Sequence, residues 1–190
     1  MQGATVMANG MVMAPVPSGP PTSPQQAAAD QLVAEVGQGI AQYSNLSAAV
    51  AAGYRPATRT DGPMTHYLNP PVVTSGDVLD PEHPSALMFA NTVDGPVLLG
   101  AMFLGPAPCQ PGPDIGGPLT QWHAHDDLCV SSGQVVGRTG SNGQCAAGVH
   151  NGSTYFMLHV WTAPSIASQH QFQADLPPSV IEQIDQTGQP

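Results

Sequence analysis

The sequence predicts an α+β fold in which N-terminal helices pack on an antiparallel β-sheet or a small open barrel. Apolar residues at helical spacing occur early in the chain, over residues 23–52, and again over residues 177–185. Between these two segments the chain alternates strand-like runs with Gly- and Pro-rich loops. With 190 residues and no internal repeat, the chain is expected to form one domain.

The first helix is expected to begin at Ser23. Ser23 can cap the helix, Pro24 suits the first helical position, and Gln26 completes a capping box. A second, short helix is expected over residues 46–52 and should stop at Gly53, where glycine tolerates the left-handed conformation of a helix end.

The segment that precedes the first helix, residues 1–22, is rich in Met, Pro, Gly and Ala. Such a composition predicts a flexible or extended arm, which leaves residues 23–190 as a single α+β domain. The arm is unusual in its methionines, whose thioethers are soft ligands that favour Cu(I), although methionine is also simply tolerated in linkers. These methionines are Met1, Met7, Met11 and Met13.

Four runs have the composition of strands. They are residues 86–92, 97–104, 119–130 and 154–162. The first two are joined at Asp94-Gly95, which is a strong signal for a β-hairpin.

The charge composition excludes some partners. The chain has no lysine, a formal net charge of −10 and only 8% charged residues. Nucleic acid and anionic membrane surfaces are therefore poor partners. No apolar stretch reaches the roughly 18 residues that a spanning helix needs.

The chain start and the cysteines bear on localisation. The N-terminus lacks the charged and apolar regions of a signal peptide, so we expect Met1 to follow a removed signal or membrane anchor, or to begin a trimmed chain. Cys129 and Cys145 flank a Gly/Ser-rich stretch, and a disulfide between them would indicate an oxidising compartment. Cys109 is then the unpaired thiol, although any two of the cysteines could pair, or all could be reduced. We expect a secreted or extracytoplasmic chain, with a membrane-anchored parent chain or a neighbouring membrane protein as a conceivable partner; the oligomeric state stays open.

A pair of histidines, His123 and His125, is the first indication of chemistry. Side chains two residues apart on a strand point to the same face, so these imidazoles can share one ion. Asp126 and Asp127 follow directly, and either carboxylate can orient an imidazole or lie in a solvated turn.

Two further histidines are candidate ligands. In the run 154–162, His159 lies opposite an apolar row of alternating residues, on the face that also carries aromatic residues. If this strand pairs near the His-x-His strand, His159 supplies a third imidazole, and His66 is a candidate fourth ligand. Tyr67 and Asn69 are candidate groups that orient the ligands. The remaining histidines are interpreted as surface or structural residues; they are His83, His150 and His170.

Several segments resemble a widespread set of uncharacterised secreted bacterial proteins. The shared elements are His-Tyr-Leu-Asn-Pro at 66–70, Trp-His-x-His at 122–125 and Leu-His-Val-Trp at 158–161. The resemblance covers residues 25–161 and implies an exported, histidine-bearing domain. A weaker likeness is to cupins, because Gly117 precedes His123 at the cupin spacing, although Cys129 and Val130 stand where cupins have a glutamate.

Three functions fit these observations. The first is a domain that binds one transition-metal ion, copper or zinc, for sequestration, delivery or sensing outside the cytoplasm. The second is a zinc hydrolase or lyase in which three histidines hold a reactive water and Glu82 or Asp127 acts as general base. The third is a structural or interaction domain whose histidines are incidental. The chain has no motif for a nucleophilic serine, a phosphate-binding loop or a dinucleotide.

Overall fold

The structure is a computed structural model that describes residues 3–187, with side chains described through residue 184. The prediction about Met1 lies outside the described residues. The helices are α1 (Ser23–Ile40), α2 (Leu46–Ala51), α3 (Pro70–Val73), α4 (Pro164–His170) and α5 (Pro178–Thr187). None of the helices in this range is long and apolar enough to cross a bilayer.

Eleven strands are described. They are β1 (Thr5–Val6), β2 (Met11–Met13), β3 (Arg55–Pro56), β4 (Met64–Leu68), β5 (Ala86–Thr92), β6 (Gly95–Leu104), β7 (His123–His125), β8 (Leu128–Ser131), β9 (Gln134–Arg138), β10 (His150–Gly152) and β11 (Met157–Trp161).

The main sheet has eight strands in the order β1-β2-β7-β11-β6-β5-β4-β3, and a small second sheet has the order β10-β8-β9. Neighbouring strands within both sheets are antiparallel. The main sheet is open and not a closed barrel. The α+β prediction is therefore confirmed. Of the two predicted arrangements, an antiparallel sheet or a small open barrel, the structure has the sheet.

The main sheet is covered on both faces. Alternate residues of its strands, such as Phe89 and Leu158, pack with α1 and α2 into a first apolar core. The residues between them, such as Met88 and Trp161, pack with α4 and α5 into a second core that includes Ile166. The predicted N-terminal helices thus cover one face only, and C-terminal helices cover the other.

Helix α1 begins at Ser23, as predicted, but the residue that caps it lies one position earlier than the sequence indicates. Thr22 caps the helix, because its hydroxyl accepts from the Gln25 N–H at 3.4 Å while the Gln25 side chain accepts from the Thr22 N–H at 2.9 Å. The capping box is therefore formed by Thr22 and Gln25, and not by Ser23 and Gln26.

The prediction of a flexible or extended arm over residues 1–22 differs most from the structure. Within residues 1–22, β1 and β2 form a hairpin, and β2 pairs with β7 in the main sheet. Met11 is buried, and the Ala14 N–H donates to the Trp122 carbonyl at 2.8 Å. The hairpin is ordered because the edge of β7 offers unpaired backbone groups, which a low-complexity composition does not reveal.

The predicted strand 119–130 is in fact two strands in different sheets. β7 pairs with β2 and β11, whereas β8 pairs with β9 and β10. The chain turns at Asp126 and Asp127, since adjacent aspartates are poor strand formers and favour a turn.

The main sheet curls sharply where β6 meets its neighbours. The pairing of β5 with β6 shifts register after Met88, so that Leu99 is an extra residue in β6. The N–H groups of Thr162 and Ala163 donate to the Leu99 carbonyl, which satisfies the bulged backbone. A Cβ atom on the adjacent Gly100 would overlap the Val160 carbonyl oxygen. Glycine at this position therefore lets β11 fold closely over β6.

We expect Gly100→Ala to lower the free energy of unfolding by about 1–3 kcal/mol, because the added methyl must push the β11 backbone away. Gly137→Ala is the matched control, since a Cβ there meets nothing within 4 Å and Gly137 also lies in a strand. Urea denaturation of both variants measures the difference, and equal stabilities would contradict the role of Gly100 in the curl.

Candidate metal centre

Four imidazoles lie on the same face of the main sheet. On β7, His123 and His125 alternate with Ala124, which packs into the first core, so both imidazoles face the other way. His159 of β11 lies between Met157 and Trp161, which belong to the second core. The predicted orientation of these residues is confirmed.

His66 comes to the same place from a distant strand. In the order β11-β6-β5-β4, three strand spacings of about 4.8 Å would separate β11 and β4 by roughly 14 Å in a flat sheet. The ring centres of His66 and His159 are only 5.4 Å apart. The reach of the two imidazoles and the close approach of β11 over Gly100, which leaves no side chain between them, place His66 next to His159.

The spacing of neighbouring rings suits a shared ion. The ring centres of His123 and His159 are 4.7 Å apart, and those of His123 and His125 are 5.5 Å apart. Two imidazoles that bind one tetrahedral ion at about 2.1 Å have ring centres roughly 5 Å apart. Within the described residues, however, no group of three or more His, Cys, Asp or Glu side chains is placed so that it could hold a metal ion.

The central imidazoles are buried and lack hydrogen-bond partners. His123 is 0% exposed and His159 is 4% exposed. The Nδ1 atom of His123 lies 3.2 Å from the Gln121 carbonyl oxygen, to which it can donate, and its Nε2 atom has no partner in the described chain. Neither ring nitrogen of His159 has a partner at good hydrogen-bond geometry there, although the Ala174 backbone lies near enough to the ring to oppose part of the lowering of its pKa. Imidazole nitrogen lone pairs are thus buried inside the fold without a hydrogen-bond donor.

Burial lowers the pKa of all four imidazoles below the ordinary value of 6.5, because a charged ring is unfavourable away from water. The pKa of His66 falls to about 4 and that of His123 to about 3. The pKa of His159 lies well below 6.5, and repulsion from His123 and His66 adds to the effect of burial. At neutral pH these rings are uncharged, which is the form that binds metal ions.

Charged groups surround only the outer imidazole, His125. The Asp127 Oδ1 atom lies 3.4 Å from the His125 Nδ1 atom, and the Arg138 Nη1 atom lies 3.2 Å from the same nitrogen. Arg138 also donates to Asp127 Oδ2 at 3.1 Å and lies 3.6 Å from a carboxylate oxygen of Asp175. Burial and then Arg138 lower the pKa of His125. Because a guanidinium N–H can only donate, the Arg138 contact requires an unprotonated Nδ1. A proton on Nδ1 that faces Asp127, which would leave Nε2 free for an ion, therefore requires Arg138 to move away from this nitrogen.

Three of the predicted orienting residues lie elsewhere. Tyr67 points into the first core, where its ring packs edge-on to Phe89 at 5.5 Å, because it alternates with His66 along β4. The Asn69 side chain donates to the Ala52 carbonyl at 3.2 Å and so ties down the end of α2. Asp126 is exposed, and only Asp127 lies beside an imidazole.

The predicted general base Glu82 is also remote from the imidazoles. Its carbonyl accepts from the Tyr43 hydroxyl at 3.2 Å, and Tyr43 belongs to the first core, on the opposite face of the sheet. Of the histidines interpreted as structural, His83 contacts Asp80 at 2.9 Å in an exposed loop and His150 is exposed on β10. Sequence analysis missed Arg138, whose position beside His125 depends on the pairing of β8 with β9.

The disulfide between Cys129 and Cys145 is present, and Cys109 is an exposed free thiol, as predicted. The bond joins β8 to the loop before β10 and so closes the small sheet that carries Arg138.

Comparison of the chain with protein-family models, with curated proteins and with solved structures gives no significant match. The resemblance to secreted bacterial proteins and the likeness to cupins stay predictions.

The lowered pKa values predict how stability depends on pH. The unfolded chain, with histidine pKa values near 6.5, binds more protons than the folded chain at any pH between about 6.5 and the folded values. The free energy of unfolding of the metal-free protein should therefore have its full value above about pH 6.5. It should fall as the pH drops toward about 4, the pKa of His66 in the folded chain.

Urea denaturation in the presence of a chelator between pH 7.5 and 4.5 measures this loss, at about 1.4 kcal/mol for each unit of pKa difference. His66→Gln removes one titrating ring and should make the loss smaller, whereas the same substitution at exposed His150 is the control. An identical pH dependence in the His66 variant and the unchanged chain would contradict the assignment.

Proposed function

We propose that this chain is an extracytoplasmic domain that binds one transition-metal ion, copper or zinc, through the imidazoles of His66, His123, His125 and His159. The single observation that carries the proposal is the set of buried imidazole nitrogens without hydrogen-bond partners at His123 and His159. Sequestration, delivery and sensing of the ion are the roles that fit such a site.

The physical argument is one of cost. A buried polar group without a partner destabilises a fold by about 1–3 kcal/mol. Two neighbouring residues, His123 and His159, carry such groups with ring centres 4.7 Å apart, so the cost is concentrated at one point. An ion that accepts these lone pairs would offset the cost, and neutral imidazole is a preferred ligand of both copper and zinc.

The disulfide between Cys129 and Cys145 supports the location. Disulfides form and persist in oxidising compartments, such as the periplasm and the extracellular space, and are rare in the cytosol.

Burial favours ion binding over hydrolysis. A catalytic zinc site keeps one coordination position open to substrate. His123 and His159 are almost fully buried, and the predicted base Glu82 lies on the far side of the sheet. The other candidate base, Asp127, lies at the cluster but forms an ion pair with Arg138. The geometry therefore gives the zinc hydrolase or lyase hypothesis less support than a storage or transfer site.

The test is metal content. Purified chain that is loaded with Cu²⁺ or Zn²⁺ and then desalted should retain about one ion, and the ion should raise the melting temperature; saturation at 100 times Kd is equivalent to about 2.7 kcal/mol. The double variant His123→Ala/His125→Ala should lose both effects. His159→Gln, which conserves more of the side-chain volume, keeps the test valid if the double variant does not fold.

His83→Ala/His150→Ala is the matched control, because it removes two exposed histidines. Retention of the same metal content and the same thermal shift by the His123 and His159 variants would refute the proposed function.

Asp127 offers an independent prediction. If its carboxylate accepts from His125 Nδ1 in the metal-bound state, Asp127→Asn should weaken metal affinity by about 10- to 100-fold. Asp126→Asn changes the same charge at the adjacent, exposed position and should leave affinity unchanged. Competition with a chromophoric chelator compares the two, and equal affinities would show that Asp127 does not orient the ligand.

A further inference from the structure

A methionine stands directly opposite each of the four imidazoles. In the sheet register Met11 pairs with His125, Met13 pairs with His123, and Met157 pairs with His123 from the other side. In the same way Met102 pairs with His159, and Met88 pairs with His66. Residues that pair directly across antiparallel strands place their side chains on the same face. Five of the eight methionines in the chain are therefore cross-strand neighbours of the candidate ligands.

His123 has the densest thioether surroundings. It is flanked by Met13 on β2 and by Met157 on β11. Met157 is also two residues from His159 on the same strand and the same face. Cβ atoms of directly paired residues lie about 4.5–5.5 Å apart, a distance that a methionine side chain spans easily.

Packing alone explains only part of this pattern. Met88, Met102 and Met157 belong to the second apolar core, where methionine is a good filler of irregular gaps. Met13 is only partly buried and lies outside both core clusters. Its neighbour Val12, by contrast, points to the opposite face and packs against the first core.

We propose that the site is selective for Cu(I), which is held by the imidazoles of His123 and His159 together with the thioethers of Met13 and Met157. Thioether sulfur is a soft ligand that selects Cu(I), whereas Zn²⁺ takes nitrogen, thiolate and oxygen ligands. This inference rests on the proposed function, since it names which ion and which oxidation state the imidazole cluster takes. It includes no redox step, because the ion binds and leaves as Cu(I).

The experiment measures Cu(I) and Zn²⁺ affinity side by side. All proteins carry Cys109→Ser, because the exposed Cys109 thiol would otherwise bind Cu(I) by itself. Cu(I) is supplied without oxygen and competed with a chromophoric Cu(I) chelator, and Zn²⁺ is competed with a zinc indicator. The test variant is Met13→Leu/Met157→Leu, in which leucine conserves volume and hydrophobicity. Met7→Leu is the control, since Met7 is exposed in the turn of the hairpin.

The double leucine variant should bind Cu(I) at least about tenfold more weakly, which equals about 1.4 kcal/mol, while its Zn²⁺ affinity stays unchanged. The copper X-ray absorption fine structure should show scattering from thioether sulfur bound to Cu(I). This signal should be lost in the double leucine variant and kept in Met7→Leu. If the double variant does not fold, Met13→Leu alone gives the same readouts, because Met13 is outside the cores.

The two levels of the proposal fail in different ways. Unchanged Cu(I) affinity and an unchanged absorption spectrum in the leucine variants would overturn the Cu(I) inference, and so would an equal loss of Cu(I) and Zn²⁺ affinity, which indicates a packing role. In either case the proposed function stands as long as His159→Gln still abolishes binding of the metal. If His159→Gln binds both ions normally, the proposed function and the Cu(I) inference both fail.

Discussion

The burial of uncharged imidazoles that lack hydrogen-bond partners is the constraint on which the rest of the structure depends. Each such ring gives up contact with water and receives only one backbone contact in return, from Gln121 at His123 and a weaker one from Ala174 at His159. A fold tolerates such unpaired buried groups mainly at functional sites, where the strain is part of the function. The lowered pKa values and the close ring spacing are consequences of this shared burial.

The shape of the sheet makes this cluster. The bulge at Leu99 and the missing side chain at Gly100 let β11 pack closely over β6, and His66 of β4 lies next to His159 on that face. The hairpin of β1 and β2 completes the face from the other end by adding Met11 and Met13 beside β7. Helices α4 and α5 then exclude water from the same face. The ligands come from strands that are distant in sequence, so the site forms only when the whole sheet has formed.

The extent to which the sequence could predict this arrangement follows from the range of each interaction. Alternation along one strand is local, so the shared face of His123 and His125 and the orientation of His159 were predictable. The prediction that Tyr67 orients a ligand was wrong because of the same alternation, which places Tyr67 and His66 on opposite faces of the sheet. The proximity of His66 depends on a bulge, and the order of the N-terminal hairpin depends on a free strand edge. Both are properties of the assembled sheet, which composition does not report.

The charges around the cluster bear on which ion suits it. Among the residues that the structure describes, Arg138 is the only cation near the rings, and Asp127 and Asp175 lie beside it at the outer imidazole, His125. The ring of His159 packs among apolar residues and other imidazoles, and Arg138 is the weakest of the influences that lower the pKa of His123. The solvation cost of transferring an ion into such surroundings rises steeply with its charge. A monovalent ion with soft ligands therefore loses less than Zn²⁺ at this depth, and the acidic surface of the chain, with a formal net charge of −10, raises the local concentration of any cation. Burial, a low local charge and thioether neighbours thus support the proposal of Cu(I) for separate physical reasons.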